Sequence, residues 1–116
     1  MIRRFAMIGA ALALAAAPSA GAPMFRTLDP QISVAPQIRP ADIEAAKAAG
    51  VRTIINNRPD GEEPGQPTGA EIEAAAKAAG IAYVAIPVDH SGYSRAQVDA
   101  MAQALEGADG PVLAYC

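Results

Sequence analysis

One cysteine, one histidine, no tryptophan and only five other aromatic residues stand in a chain of 116 residues. A lone cysteine excludes an intrachain disulfide framework, and a lone histidine, His90, excludes a histidine-rich metal cage. Metal-dependent hydrolysis and a resident cofactor are therefore not expected. Cationic clusters are also scarce. Beyond Arg3-Arg4 the basic residues are scattered and the net charge is −3, which argues against a nucleic-acid surface. Hydrophobic residues reach 52%, but alanine dominates them. An alanine-rich core buries little area per residue, and a domain this small is marginal to begin with. Neighbours or further chain are expected to add stability.

The first 23 residues differ in composition from the rest. Arg3-Arg4 precede an apolar run from Phe5 to Ala17, and Pro18-Ser19-Ala20-Gly21-Ala22 then offers small residues in an A-x-A pattern. That is the layout of an export signal. The apolar run falls short of the roughly 20 residues a membrane-spanning helix needs, so no stable span is expected. A second reading makes Met24 the true start, and Pro23 directly after the cleavage point supports it. The first reading places the protein in the periplasm and the second in the cytoplasm. Residues 24–116 are read as one α/β domain under either.

Within that domain a unit recurs. Asp42 to Gly50 and Glu71 to Gly80 are alanine-rich segments closing on glycine, and each runs into a β-rich stretch, Val51 to Ile55 and Ile81 to Ile86. Helix, glycine, strand, repeated, predicts parallel strands with helical crossovers. Pro40 suits a first helical turn, and Gly50 and Gly80 suit the left-handed position after a helix. Thr68-Gly69-Ala70-Glu71 and Ser94-Arg95-Ala96-Gln97 have the form of capping boxes. The second opens a helix from Arg95 to about Glu106, with Val98, Met101 and Leu105 along one face. A short strand is expected around Ile32-Ser33-Val34, and an apolar strand from Pro111 to Tyr115. The segment from Asn57 to Pro67 reads as a long loop of three prolines, two glycines and three acids, a length at which loops are often functional.

Cys116 follows the last apolar strand. A cysteine at the C-terminal tip of a central strand can be a nucleophile or an inert buried thiol, and position alone leaves both open. The string Ile55-Asn56-Asn57-Arg58-Pro59-Asp60-Gly61-Glu62-Glu63-Pro64-Gly65-Gln66-Pro67 is more specific. Ile32-Ser33-Val34-Ala35-Pro36-Gln37, Tyr83-Val84-Ala85-Ile86-Pro87-Val88 and Val112-Leu113-Ala114-Tyr115-Cys116 complete the match. On these residues the chain from Met24 onward resembles the phosphatase-like family of bacterial beta-lactamase hydrolase-like proteins, some members of which are named as sulfurtransferases. That family is similar in fold to dual-specificity cysteine phosphatases, in which a strand ends in a Cys-x5-Arg loop.

The resemblance implies a three-layer α/β fold with a mostly parallel sheet of dual-specificity-phosphatase type, C-terminally incomplete because the chain stops at the candidate nucleophile. It implies phosphoester hydrolysis through a cysteinyl-phosphate, with this chain inactive for want of the anion-binding loop. The backbone N–H groups, helix N-terminus and arginine of such a loop lower the thiol pKa and hold phosphate oxygens. A rhodanese-like sulfurtransferase with a persulfide on the cysteine, and a non-catalytic binding module, are the alternatives. The partners implied are a small phosphorylated or sulfur-carrying substrate and a metallo-beta-lactamase-type domain.

Cys116 and Asp89 are the expected catalytic residues, the first as nucleophile and the second as proton donor to the leaving oxygen. Arg58 and His90 are expected at the substrate. Arg58 can instead hold the acidic loop of Asp60, Glu62 and Glu63, with Asn56 and Asn57 shaping the turn.

Overall fold

The computed structural model describes residues 25–116, so the export-signal and alternative-start readings of residues 1–24 lie outside the described residues. Among the described residues five strands form one sheet: β1 (Arg26–Asp29), β2 (Ile32–Ala35), β3 (Thr53–Asn56), β4 (Ala82–Ala85) and β5 (Val112–Tyr115). Three α-helices connect them: α1 (Ile43–Ala48), α2 (Gly69–Ala78) and α3 (Arg95–Glu106), with a 3-10 turn, Pro40–Asp42, leading into α1. The strand order is β1-β2-β5-β3-β4. Every pairing is parallel except the β1–β2 hairpin.

The two central strands carry the core because their side chains alternate between two buried faces. Ile54, Leu113 and Tyr115 point to one face, where they meet Ile43 and Ala46 of α1 and Ile72 and Ala76 of α2. Ile55, Val112 and Ala114 point to the other, against Ala100, Met101, Ala104 and Leu105 of α3. Helices on both faces of one mostly parallel sheet make the three expected layers. The α3 layer is thin: no residue of α3 is fully buried, and Val98 is 47% exposed although it shares the apolar spacing.

The helices begin and end where their sequence signals stand. Thr68 Oγ1 accepts the Glu71 N–H while the Glu71 carboxylate accepts the Thr68 N–H, and Ser94 with Gln97 repeats the arrangement. Gly50 and Gly80 adopt φ of +88° and +77°, which closes α1 and α2 in the left-handed conformation. Strand β1 was not expected. Arg26-Thr27-Leu28-Asp29 lacks apolar alternation and is wholly exposed. It is held by main-chain pairing to β2 and by the Asp29 carboxylate, which accepts N–H bonds from Gln31 and Ile32 at 2.7 and 2.9 Å.

Gly69, the first residue of α2, packs where no side chain fits. A Cβ there would lie 2.9 Å from the Tyr83 hydroxyl and 3.1 Å from Asn56 Nδ2. Both groups are committed to each other by a 2.9 Å hydrogen bond, so neither can give way freely. Alanine is the better helix former by about 1 kcal/mol, yet Gly69→Ala is expected to destabilise by roughly 1–2 kcal/mol net because the overpacking outweighs that gain. A thermal melt checks this, and a raised midpoint would show that the contact relaxes.

Candidate active site

Register brings the C-terminal ends of four parallel strands into one row. Ala35 aligns with Tyr115, Tyr115 with Asn56, and Asn56 with Ala85. Everything that follows these residues emerges on the same edge of the sheet: the Pro36–Arg39 link, the Asn57–Pro67 loop, the Ile86–Tyr93 loop, and Cys116. This is the edge at which open parallel sheets place their ligands. Cys116, Asp89, Arg58 and His90 all stand on it, but they do not share one cleft.

Cys116 is exposed and its thiol is free. It lines an open cleft of about 360 Å³ on the α3 side of the sheet, with Asn57, Val88, Tyr93, Gln97, Val98 and Met101. No lysine, arginine, aspartate or glutamate is among these residues. The position of the sulfur is set through the peptide unit before it. The Cys116 N–H donates to the Ala35 carbonyl of β2 at 3.1 Å, and the Tyr115 carbonyl accepts the Asn57 N–H at 2.9 Å. One peptide plane is thus held from both sides.

Asp89 stands in an adjoining cleft with Ser91, Gly92, Tyr93, Ser94 and Gln97, so Tyr93 and Gln97 border both it and Cys116. Its carboxylate is engaged locally. Asp89 Oδ1 accepts the Ser91 N–H at 2.9 Å and also the Ser91 hydroxyl, in a tight turn that Gly92 closes at φ +114°. The hydroxyl bond and then the backbone bond from Ser91 hold the Asp89 carboxyl below the usual carboxylate range, with His90 adding to the effect. A proton donor working near neutral pH needs the opposite shift. His90 sits exposed at the tip of this turn.

Arg58 lines a different cleft from Cys116, with Asn56, Pro59, Asp60, Gly69, Glu73 and Tyr83 on the α2 side. Its side chain is only 13% exposed. The guanidinium donates to Glu62 at 2.9 Å and to the Gln37 side-chain carbonyl at 3.3 Å, and pairs with Glu63 at 3.5 Å. Gln66 bonds the Pro59 carbonyl and the Glu62 N–H, so the loop is folded on itself around Arg58.

Two features on this edge escaped sequence reasoning. Gln97, legible as a capping residue, also donates to the Pro87 carbonyl at 2.9 Å and so ties α3 to the Asp89 loop. Tyr115, directly before the cysteine, is buried against Tyr83. Burial first, and Tyr83 beside it, push the Tyr115 phenol far above its ordinary range and keep it neutral.

Residues 24–116 match the family described as "Beta-lactamase hydrolase-like protein, phosphatase-like domain". The chain belongs to that family. It is 42% identical over 89 residues to the beta-lactamase hydrolase-like protein of Agrobacterium fabrum, a match that covers 77% of this chain and 21% of that protein. The chain therefore spans about a fifth of the length of that relative. Among solved structures, a candidate phosphatase of Neisseria meningitidis superposes with a TM-score of 0.72 at 37% identity, over 78% of this chain and 65% of that one. TpbA of Pseudomonas aeruginosa, solved in complex with phosphotyrosine, superposes with a TM-score of 0.59 at 16% identity, over 78% of this chain and 51% of that one, and shares the fold. The domain is phosphatase-like in sequence and in architecture.

Proposed function

We propose that this domain presents Cys116 as the nucleophile of a phosphoester hydrolase. The observation that carries the reading is the clamped peptide before Cys116, at the C-terminal end of the central strand of a phosphatase-like sheet. The Cys116 thiolate attacks phosphorus, the phosphorus–oxygen bond to the leaving group breaks, and that oxygen takes a proton. Water then attacks the cysteinyl-phosphate, releasing phosphate and restoring the thiolate.

No lysine or arginine is among the described residues that line the Cys116 cleft, and phosphate needs several donors as well as charge. The 116-residue chain is accordingly expected to release phosphate from p-nitrophenyl phosphate no faster than buffer. A chain continued past Cys116 so that Cys116 opens a Cys-x5-Arg loop, with its helix, is expected to turn over. An extended chain that stays silent, with the fold intact, would overturn the reading.

Asp89 is bound to Ser91 in its ionised form, so Asp89→Asn in the extended chain is expected to keep turnover within about threefold. A true general acid contributes on the order of 10²–10⁴, and a loss of that size would restore the proton-donor role to Asp89. One second reading has support. An ionised Asp89 suits sulfur transfer through a Cys116 persulfide, which needs no proton donor. Thiocyanate formation from thiosulfate and cyanide, with no phosphate release, would favour it.

A further inference from the structure

Asn57 lines the same cleft as Cys116 and is neither charged nor conspicuous. Asn57 is the first residue after β3, and it bonds in four directions. Its N–H donates to the Tyr115 carbonyl at 2.9 Å, and its own carbonyl accepts the Val88 N–H at 2.9 Å. Its side-chain Nδ2 donates to the Ile86 carbonyl at 3.0 Å and reaches Met101 Sδ at 3.5 Å. One residue therefore joins the end of β5, the loop after β4 and helix α3. Three of the residues it touches or adjoins, Val88, Met101 and Cys116, line the cleft together with Asn57 itself.

We propose that Asn57 is a positioning residue for Cys116, its carboxamide fixing the loop and helix walls of the cleft against the strand end that carries the sulfur. The role rests on reading Cys116 as the reactive group. It does not depend on which reaction follows.

The preceding residue supplies the control. Asn56 is 5% exposed and its side chain also makes two bonds, but on the other face. Its Oδ1 accepts the Arg58 N–H at 2.8 Å and its Nδ2 bonds the Tyr83 hydroxyl. Losing the Asn56 side chain should cost at least as much stability as losing that of Asn57, since the buried partner groups are left unpaired. It removes nothing from the cleft wall.

The test is alkylation of Cys116 by iodoacetamide, followed as a pH–rate profile in the 116-residue chain, with thermal melts alongside. The sulfur reports its own surroundings here, so the result stands whether or not phosphoesters are turned over. Asn57→Ala is expected to raise the alkylation rate at neutral pH at least threefold and to displace the profile, as the Ile86 and Met101 wall loosens. Asn56→Ala is expected to leave the profile on that of the parent while lowering the melting point as much or more. If Asn57→Ala fails to fold, Asn57→Ser, whose shorter side chain cannot span to Ile86, carries the same expectation. A parental profile in the Asn57 variants, or an equal displacement in Asn56→Ala, would overturn the proposal and leave Asn57 a fold residue only.

Discussion

Cys116→Ser in a loop-bearing chain is expected to abolish phosphate release from p-nitrophenyl phosphate without changing the fold. Loss of the nucleophile from a hydrolase has cost on the order of 10⁶ in turnover where it was measured, so activity should fall below detection. The hydroxyl replacing the thiol is far less acidic, and among the described residues the polar neighbours in the cleft are Asn57, Gln97 and Tyr93, none of them a base. Stability should not suffer. The Cys116 N–H bond to Ala35 is a backbone bond that serine keeps, and serine is close to cysteine in size. Matching melting curves with vanished turnover would identify the sulfur as the reactive atom. Turnover that survives the substitution would move the chemistry to another residue.

The largest expected effect on stability lies two strands' depth inside. Leu113→Ala, in the middle of β5, removes a fully buried side chain packed beneath α1 and α2. Such truncations cost about 2–5 kcal/mol, against a total of roughly 5–15 kcal/mol for a typical domain. At about 4–8 °C per kcal/mol for a domain of this size, the melting point should drop by about 8 °C or more. Val98→Ala, on the thin α3 layer, should cost less than about 1 kcal/mol because much of Val98 already faces water. Circular dichroism melts of both variants check the contrast. Equal losses would mean that the α3 face is packed more tightly than its exposure indicates.

The fold was legible wherever local chemistry and burial agree. The capping boxes at Thr68 and Ser94, the glycines at 50 and 80 and the apolar runs of β3 and β5 each carry a physical signal that tertiary packing reinforces. Strand β1 carried none, because an edge strand exposed on both faces is specified by its neighbour's backbone and not by side-chain alternation. The site was legible only in part, for a related reason. Topology placed Cys116, Asp89, Arg58 and His90 on one edge, as parallel strands require. Which way each side chain turns depends on partners distant in sequence. Arg58 turns to Gln37, Glu62 and Glu63. Asp89 finds Ser91 two residues on, a pairing the sequence did contain in Asp89-His90-Ser91 as a short acidic turn. The four-way bonding of Asn57 spans 29 residues to Ile86 and 44 to Met101, and no local pattern announces it.

Mass spectrometry of a trapped intermediate tests the assignment of Cys116 most directly. A loop-bearing chain mixed with an aryl phosphate and quenched in acid should carry an added phosphoryl group on the peptide that contains Cys116, and the Cys116→Ser chain should carry none. Phosphate release with no adduct on that peptide, or an added sulfur atom appearing there only after thiosulfate, would contradict hydrolysis through a cysteinyl-phosphate at this strand end.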